Sequence, residues 1–351
     1  MNKSKDLLHK IRTRTASWSD FSSFLNLEKK DMEPFFLHAQ EITKQNFNNT
    51  LKIYNPTNRF PVISITGSEC ALHCEHCNEK YLKGMKPLLT NSELEHYLME
   101  HSRNEGIGVL ISGGCEPDGS VPLINYLDTV KKVKSKTNLI INTHTGLLDE
   151  ETAQKLAEAK VDIVSFDINL DEEIIEKIYH LDKSVNDYKQ AIELLKKNKL
   201  NIVPHICIGL YYGKIHKELE SIKFIKETEM NPSLIVLIAL IPPKSSKVEF
   251  KRPKPFDIAK IIALIRFVFP YTEISLGCMR PRGDIKIELE KYAIKAGINR
   301  IELPSQDTLK WVKSINPGIM FQFFSACCAI PNKYEKVAKS KDSDIKRYLS
   351  I

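Results

Sequence analysis

The sequence predicts an α/β fold, a (β/α)8 TIM-type barrel with an N-terminal helical segment and a C-terminal extension. Three observations carry that prediction. Eight short apolar runs rich in β-branched residues succeed one another between residues 60 and 303. The segments between them carry helical spacing and helix-start signals. The glycines, cysteines and polar residues that stand out fall just past the ends of these runs. Parallel barrels build their sites on that edge.

Residues 1–50 are polar and loosely amphipathic, with Phe21, Phe24, Leu25, Phe35 and Phe36 as scattered anchors. They predict two or three helices packed on a larger body, and the N-terminal segment is set at residues 1–55. The strand runs are Val62–Thr66, Gly108–Ser112, Leu139–Thr143, Asp162–Asp167, Asn201–Ile208, Leu234–Ile241, Glu273–Leu276 and Asn299–Leu303. Thr90-Asn-Ser-Glu93 reads as a capping box before Leu94, Tyr97 and Leu98. Asp149, Ser184 and Ser305 read as caps of three further helices. Eight such units match a barrel of about 250 residues, placed at 56–305. A helix around Thr308–Val312 follows. Then the apolar stretch Ile319–Phe324 leads into Ser325-Ala-Cys-Cys328 and a basic tail, so the extension covers 306–351.

Of 351 residues, 42% are hydrophobic and 27% charged, an ordinary soluble globular composition. The longest apolar run, Leu234–Ile241, is far short of the ~18 residues that span a bilayer. The N-terminus shows no secretory h-region. The expectation is a cytoplasmic protein without membrane or nucleic-acid partners. The net charge of +7 leans on Lys333, Lys336, Lys339, Lys341, Lys346 and Arg347 in the tail. These read as a solvated helix face or as a docking patch for an acidic partner or electron donor.

Eight cysteines are too unevenly placed for a disulfide scaffold, and metal binding or catalysis is the better reading. Cys70, Cys74 and Cys77 form a C-x3-C-x2-C loop directly after the first strand run. Three thiolates can hold three irons of a cubane [4Fe–4S] cluster and leave the fourth iron open. No fourth cysteine lies nearby in the chain. A zinc knuckle is the alternative, but structural zinc wants a second ligand pair about 12–20 residues on, and none follows. Ser112-Gly-Gly-Cys115 ends the second strand, where glycines allow close backbone approach. Thr143, His144, Asp167 and Asn169 stand at the ends of the third and fourth, with groups able to grip hydroxyls. His205 reads as barrel filling. Cys278, with Arg280 and Arg282 beside it, stands at the predicted barrel mouth. Cys327 and Cys328 end the apolar extension, and their adjacency disfavours a mutual disulfide.

The cysteine triplet resembles the signature of the radical S-adenosylmethionine (SAM) superfamily. That resemblance implies that Cys70, Cys74 and Cys77 hold a [4Fe–4S] cluster whose open iron chelates SAM, and that reductive cleavage gives a 5′-deoxyadenosyl radical. It implies that the Gly113-Gly114 turn takes the SAM amino group. The superfamily usually has Glu third in that motif, where this chain has Cys115. His76 stands where an aromatic residue is usual. The expected cofactor contacts are Gly113, Gly114, Cys115, Thr143, Asp167, Asn169, Arg280 and Arg282.

A second, auxiliary cluster on Cys278, Cys327 and Cys328 resembles the biotin synthase and lipoyl synthase branch. Val164–Asn169, Ile178–Asp182, Pro204–Gly209 and Leu276–Pro281 look most like the archaeal two-component lipoyl synthases. The N-terminal cysteine motif of single-chain lipoyl synthases is absent. The resemblance implies sulfur insertion into an octanoyl chain on a lipoyl-domain-type carrier protein, or into a small molecule. It also implies a reductant such as ferredoxin and a second radical SAM subunit. A methylase or skeletal enzyme is the alternative within the superfamily. A non-catalytic Fe–S or zinc protein is the alternative outside it.

Overall fold

The computed structural model describes residues 3–244, 246 and 248–349. The outermost residues of the two terminal segments, and the Arg347 side chain of the basic tail, lie outside the described residues. The strands are β1 (Thr50–Tyr54), β2 (Val62–Ser64), β3 (Lys86–Pro87), β4 (Gly108–Ser112), β5 (Ile140–His144) and β6 (Ile163–Asp167). They continue as β7 (Ile202–Ile208), β8 (Leu234–Ala239), β9 (Glu273–Leu276), β10 (Arg300–Glu302) and β11 (Met320–Phe324). All eight predicted runs are strands, to within two residues at each end. Parallel strands alternate with helices, the predicted α/β class.

The chain divides into two compact units. One holds residues 54–205, 242–250 and 324–351, and the other 1–53, 206–241 and 251–323. In the first, parallel neighbours run in the order β3, β2, β4, β5, β6 and the start of β7. Val62 pairs with Leu110, Leu110 with Asn142, Asn142 with Ile163, and Asp167 with His205. These strands read as continuous Val/Ile/Leu runs because both faces are covered. Ile63, Val109, Ile111, Ile141, Ile163 and Val164 are all inaccessible to solvent. The predicted caps hold the helices between them. Thr90 Oγ1 accepts from the Glu93 amide at 3.2 Å, and the Glu93 carboxylate accepts from the Thr90 amide at 3.0 Å. Asp149 accepts from the Thr152 amide at 2.8 Å, and Asp187 from the Ser184 amide at 2.8 Å. Because the strands are parallel, β2, β4, β5 and β6 all end on one edge of this unit. The cysteine loop, Gly113–Cys115, His144 and Asp167 sit on that edge.

In the other unit β8, β9 and β10 are parallel, with Val236 opposite Ser275 and Ser275 opposite Arg300. Sequence reasoning missed three strands, β1, β3 and β11. β1 borders β10 (the Lys52 amide donates to the Asn299 carbonyl at 2.9 Å), and β11 borders β1. Three helices, Lys3–Arg12, Trp18–Leu25 and Glu33–Asn46, precede β1, as expected. Among the described residues no helix is long and apolar enough to cross a membrane.

Candidate functional site

The cysteine loop is pinned at both ends. After β2, Ser64 Oγ donates to the Gly67 carbonyl at 2.6 Å and Thr66 Oγ1 to the Glu69 carbonyl at 3.0 Å. Amides of Cys77 and Asn78 donate back to the Cys74 carbonyl at 3.0 and 2.9 Å, which closes a tight turn around Cys74. His73, Asn78 and Glu79 take positive φ of 47°, 46° and 51°. Non-glycine residues accept that conformation only where the surroundings over-determine it, and such positions gather at functional sites. The Glu75 amide donates to the Ile178 carbonyl at 2.9 Å, and the Cys74 thiol to the Tyr179 carbonyl at 3.6 Å.

The Gly-Gly turn lies directly against this loop. The Gly114 amide donates to Thr66 Oγ1 at 2.7 Å, and the Ala71 amide to the Cys115 carbonyl at 2.8 Å. A Cβ on Gly114 would stand 1.9 Å from the Glu69 carbonyl oxygen and 2.6 Å from the Cys70 Cβ. Only glycine fits. Gly114→Ala is expected to destabilise the fold by about 1–3 kcal/mol or more, because the obstacle is backbone that cannot swing aside. Urea unfolding checks this, and an unshifted midpoint would refute it.

A fourth cysteine is present in space, although none is near in the chain. Cys115 donates its amide to Cys70 Sγ at 3.3 Å. The Cys115 thiol, with the amides of Leu72, Cys115 and His73, pulls the Cys70 thiol down to about 5 against the cost of its burial. The Cys115 thiol is correspondingly pushed up, by its interaction with the Cys70 sulfur and by burial. Burial, then the neighbouring Cys77 and Cys70 sulfurs, push Cys74 up to about 12, and burial also raises Cys77. Cys70 is therefore the preformed thiolate of the set. The other two thiols must release protons to a metal.

Cys70, Cys74, Cys77, Gly113, Gly114 and Cys115 line one cavity of about 290 Å³, together with His76, His144, Asp167 and Tyr188. Every lining residue belongs to the unit that starts at residue 54. The Asp167 side chain, half exposed at the end of β6, sits 3.9 Å from His144 Nδ1. His144 packs edge-on against His205 at 5.0 Å. Burial lowers His144, and it lowers His205 to about 4, so both rings are held neutral. His76 is held to about 4 by burial, and its Nδ1 is buried without a partner. Sequence reasoning did not find Tyr188 or Tyr179. Tyr188 lies on the apolar stripe of helix Val185–Lys197, where spacing marks it as core.

Two expected contacts stand off the cavity wall. Thr143 is buried and its hydroxyl donates to the Ile163 carbonyl at 3.4 Å. Asn169 is nearly buried, with its Nδ2 unpartnered. Arg280 requires a correction. Its guanidinium is fully buried, at 2.9 Å from Glu290 Oε1 and 3.3 Å from Glu302 Oε2, and it donates to the Gly277 and Glu302 carbonyls. Both terminal nitrogens are engaged in this way, and Nε is buried without a partner, so no donor of this guanidinium is exposed toward a cofactor. Arg282 shares Glu302 at 3.2 Å but stays 44% exposed. Cys278 is exposed in the unit that carries β8–β10, whereas the half-buried Cys327 and buried Cys328 belong to the other.

The donor set fits an iron–sulfur cluster. Among the described residues no three Cys, His, Asp or Glu side chains surround one point as a single metal ion requires. Three thiols spread around one cavity suit a multi-iron group, in which each sulfur takes a different iron. The unobstructed Gly113-Gly114 backbone beside them gives a small polar ligand room to approach.

Residues 64–225 match the model of the Radical SAM superfamily. The biotin synthase of Coxiella burnetii (strain Dugway 5J108-111) is 30% identical over 183 residues, 51% of this chain and 54% of that protein. The chain thus spans about half the length of that relative. The biotin synthase of Halorhodospira halophila is 23% identical over 83% of this chain and 88% of its own. Among solved structures, methylornithine synthase (PylB) superposes with a TM-score of 0.62 at 17% identity, covering 98% of this chain and all 100% of its own. The FeFe-hydrogenase maturase HydG from Carboxydothermus hydrogenoformans reaches 0.67 at 14% identity, over 98% of this chain and 87% of its own. At such identities the two structures speak for the fold alone, and that fold is the α/β, TIM-like one the sequence predicts.

Proposed function

We propose, from the match of residues 64–225 to the Radical SAM superfamily model, that the chain is an enzyme cleaving SAM reductively to start radical chemistry. The observation that carries the proposal is the cavity in which Cys70, Cys74 and Cys77 meet the Gly113-Gly114 turn. A [4Fe–4S] cluster bound there would supply the electron for cleavage of SAM to a 5′-deoxyadenosyl radical. The three cysteines would hold it, Cys70 entering as thiolate. Gly113 and Gly114 would offer backbone to the SAM amino group. The Asp167 carboxylate, beside His144, would accept hydrogen bonds from ribose hydroxyls. His76 and Tyr188 would wall the site against water.

The test is anaerobic reconstitution with iron and sulfide, then SAM and dithionite. The expected result is 5′-deoxyadenosine and a cluster whose spectrum changes on adding SAM. A zinc-loaded protein, or a cluster indifferent to SAM, would overturn the proposal in favour of a non-catalytic metal protein.

The finer reading is sulfur insertion into unactivated C–H bonds, as in a lipoyl synthase acting on an octanoyl-lysine carrier. Biotin synthase relatives and the distal cysteines support it. The auxiliary cluster that donates sulfur would take Cys278, exposed in its own unit, as a ligand, with Arg282 as a partly exposed cation beside it. A ferredoxin-like reductant and a second radical SAM subunit are the expected partners. Two bound cubanes imply about eight irons per chain, and loss of Cys278 should leave about four. Four irons in the wild type, or 5′-deoxyadenosine without a thiolated octanoyl peptide, would leave a methylase or skeletal enzyme as the better assignment.

A further inference from the structure

We propose that Cys70 and Cys115 are a redox-modification site: in the metal-free chain they join in a reversible disulfide that withholds Cys70 from iron. The bond rests on geometry alone. Its consequence rests on the reading of Cys70 as a cluster ligand.

The two residues are held together by backbone as well as by sulfur. The Ala71 amide donates to the Cys115 carbonyl at 2.8 Å, and the Cys115 amide to Cys70 Sγ at 3.3 Å. The pinned turn adds a second constraint, since a Cβ on Gly114 would lie 2.7 Å from the Cys70 Cα. Disulfides form where Cα atoms approach within about 4.4–6.8 Å and the side chains face each other. Here the two segments run in contact, and the Cys115 amide already reaches the Cys70 sulfur. The competing pairs are less well placed. The Cys74 thiol is turned to the Tyr179 carbonyl at 3.6 Å, and adjacent Cys327 and Cys328 face the strain of a vicinal ring. Both Cys70 and Cys115 remain partly accessible and line the cavity, so a small oxidant reaches them.

The exchange balances with a low-molecular-weight disulfide such as oxidised glutathione. The Cys70 thiolate attacks it, forming a mixed disulfide and expelling one glutathione thiolate, which takes a proton from water. The Cys115 sulfur then attacks the Cys70 sulfur, gives up its proton and expels the second glutathione. Two cysteines are oxidised and one glutathione disulfide is reduced to two thiols. A thiol reductant reverses both steps.

The experiment treats the full-length, metal-free chain with oxidised glutathione under argon, followed by alkylation and peptide mass mapping. The expected result is a Cys70–Cys115 linked peptide that disappears on reduction. Measured on the Cys278→Ala chain, so that no auxiliary cluster contributes, iron uptake should be lost in the linked form and restored by dithiothreitol. Cys115→Ala should instead carry a lasting glutathione adduct on Cys70, because the resolving sulfur is gone. Free alkylation of both cysteines after oxidation, or a link to Cys74 or Cys77 instead, would overturn the proposal while leaving the cluster reading intact. A Cys70–Cys115 link that forms without affecting iron uptake would refute the withholding, and with it the assignment of Cys70 as a ligand.

Discussion

Replacing Cys74 with alanine is expected to remove the SAM-responsive iron–sulfur signal and to cut 5′-deoxyadenosine formation at least about 100-fold, with the fold intact. Losing a residue that merely supports a metal ligand already costs about 10–100-fold, and losing the ligand itself costs more. Two contributions compete at this position, and their sizes decide the outcome. The structural one is small. The Cys74 thiol donates only to the Tyr179 carbonyl, at a long 3.6 Å. Losing one such bond costs on the order of 1 kcal/mol. The turn survives the change, because the Cys77 and Asn78 amides bond the Cys74 backbone carbonyl and not its sulfur. The metal contribution is large, since a cubane left with two protein thiolates is poorly held. Circular dichroism, iron content and 5′-deoxyadenosine measured on one preparation separate the two. A folded variant that keeps all of the wild-type iron would remove Cys74 from the ligand set. An unfolded one would make the cysteine structural.

Much of this was readable from the residues, and the boundary of what was readable has physical causes. Parallel strands buried on both faces appear in sequence as unbroken Val/Ile/Leu runs, and all eight were found. β1 and β11 escaped for opposite reasons. Thr50–Tyr54 has a strand alternation but follows a polar helical stretch, and it earns its place only by bonding β10, some 250 residues further on. Met320–Phe324 has a half-exposed face, and its register depends on a single neighbour, β1. In the site, the triplet and the glycine turn were legible because their chemistry is local. The contact between Cys70 and Cys115 was not, because 45 residues separate them and the pairing of β2 with β4 brings their loops together. Arg280 shows the reverse error. Beside Cys278 it reads as a cation for a cofactor, and nothing local reveals that Glu290 and Glu302 already claim it.

Arg280→Met is accordingly expected to act on stability, by about 3–5 kcal/mol, and not on the binding of SAM. Removing one member of a buried ion cluster leaves its partners charged and unpaired, which costs far more than the intact cluster contributes. Arg280 and Glu290 are both fully buried, and Glu302 is 3% exposed. Methionine fills much of the volume, so the loss is electrostatic. It leaves Glu290 Oε1 with only the Lys286 ammonium at 3.9 Å, leaves Glu302 with Arg282 alone, and unbinds the carbonyls of Gly277 and Glu302. The pH dependence carries a sign. Burial holds the Glu302 carboxyl above its ordinary range, against the pull of Arg280 and Arg282. A carboxyl raised by folding contributes stability that is fully present below its unfolded pKa and is lost as pH rises through its folded one. Removing a guanidinium raises that carboxyl further. The deficit of the variant should therefore be smallest in acid and grow toward neutral pH, and Glu302→Gln added to it should recover part of the loss at neutral pH. Urea unfolding across this range reads both. A variant of wild-type stability that no longer binds SAM would return Arg280 to the cofactor.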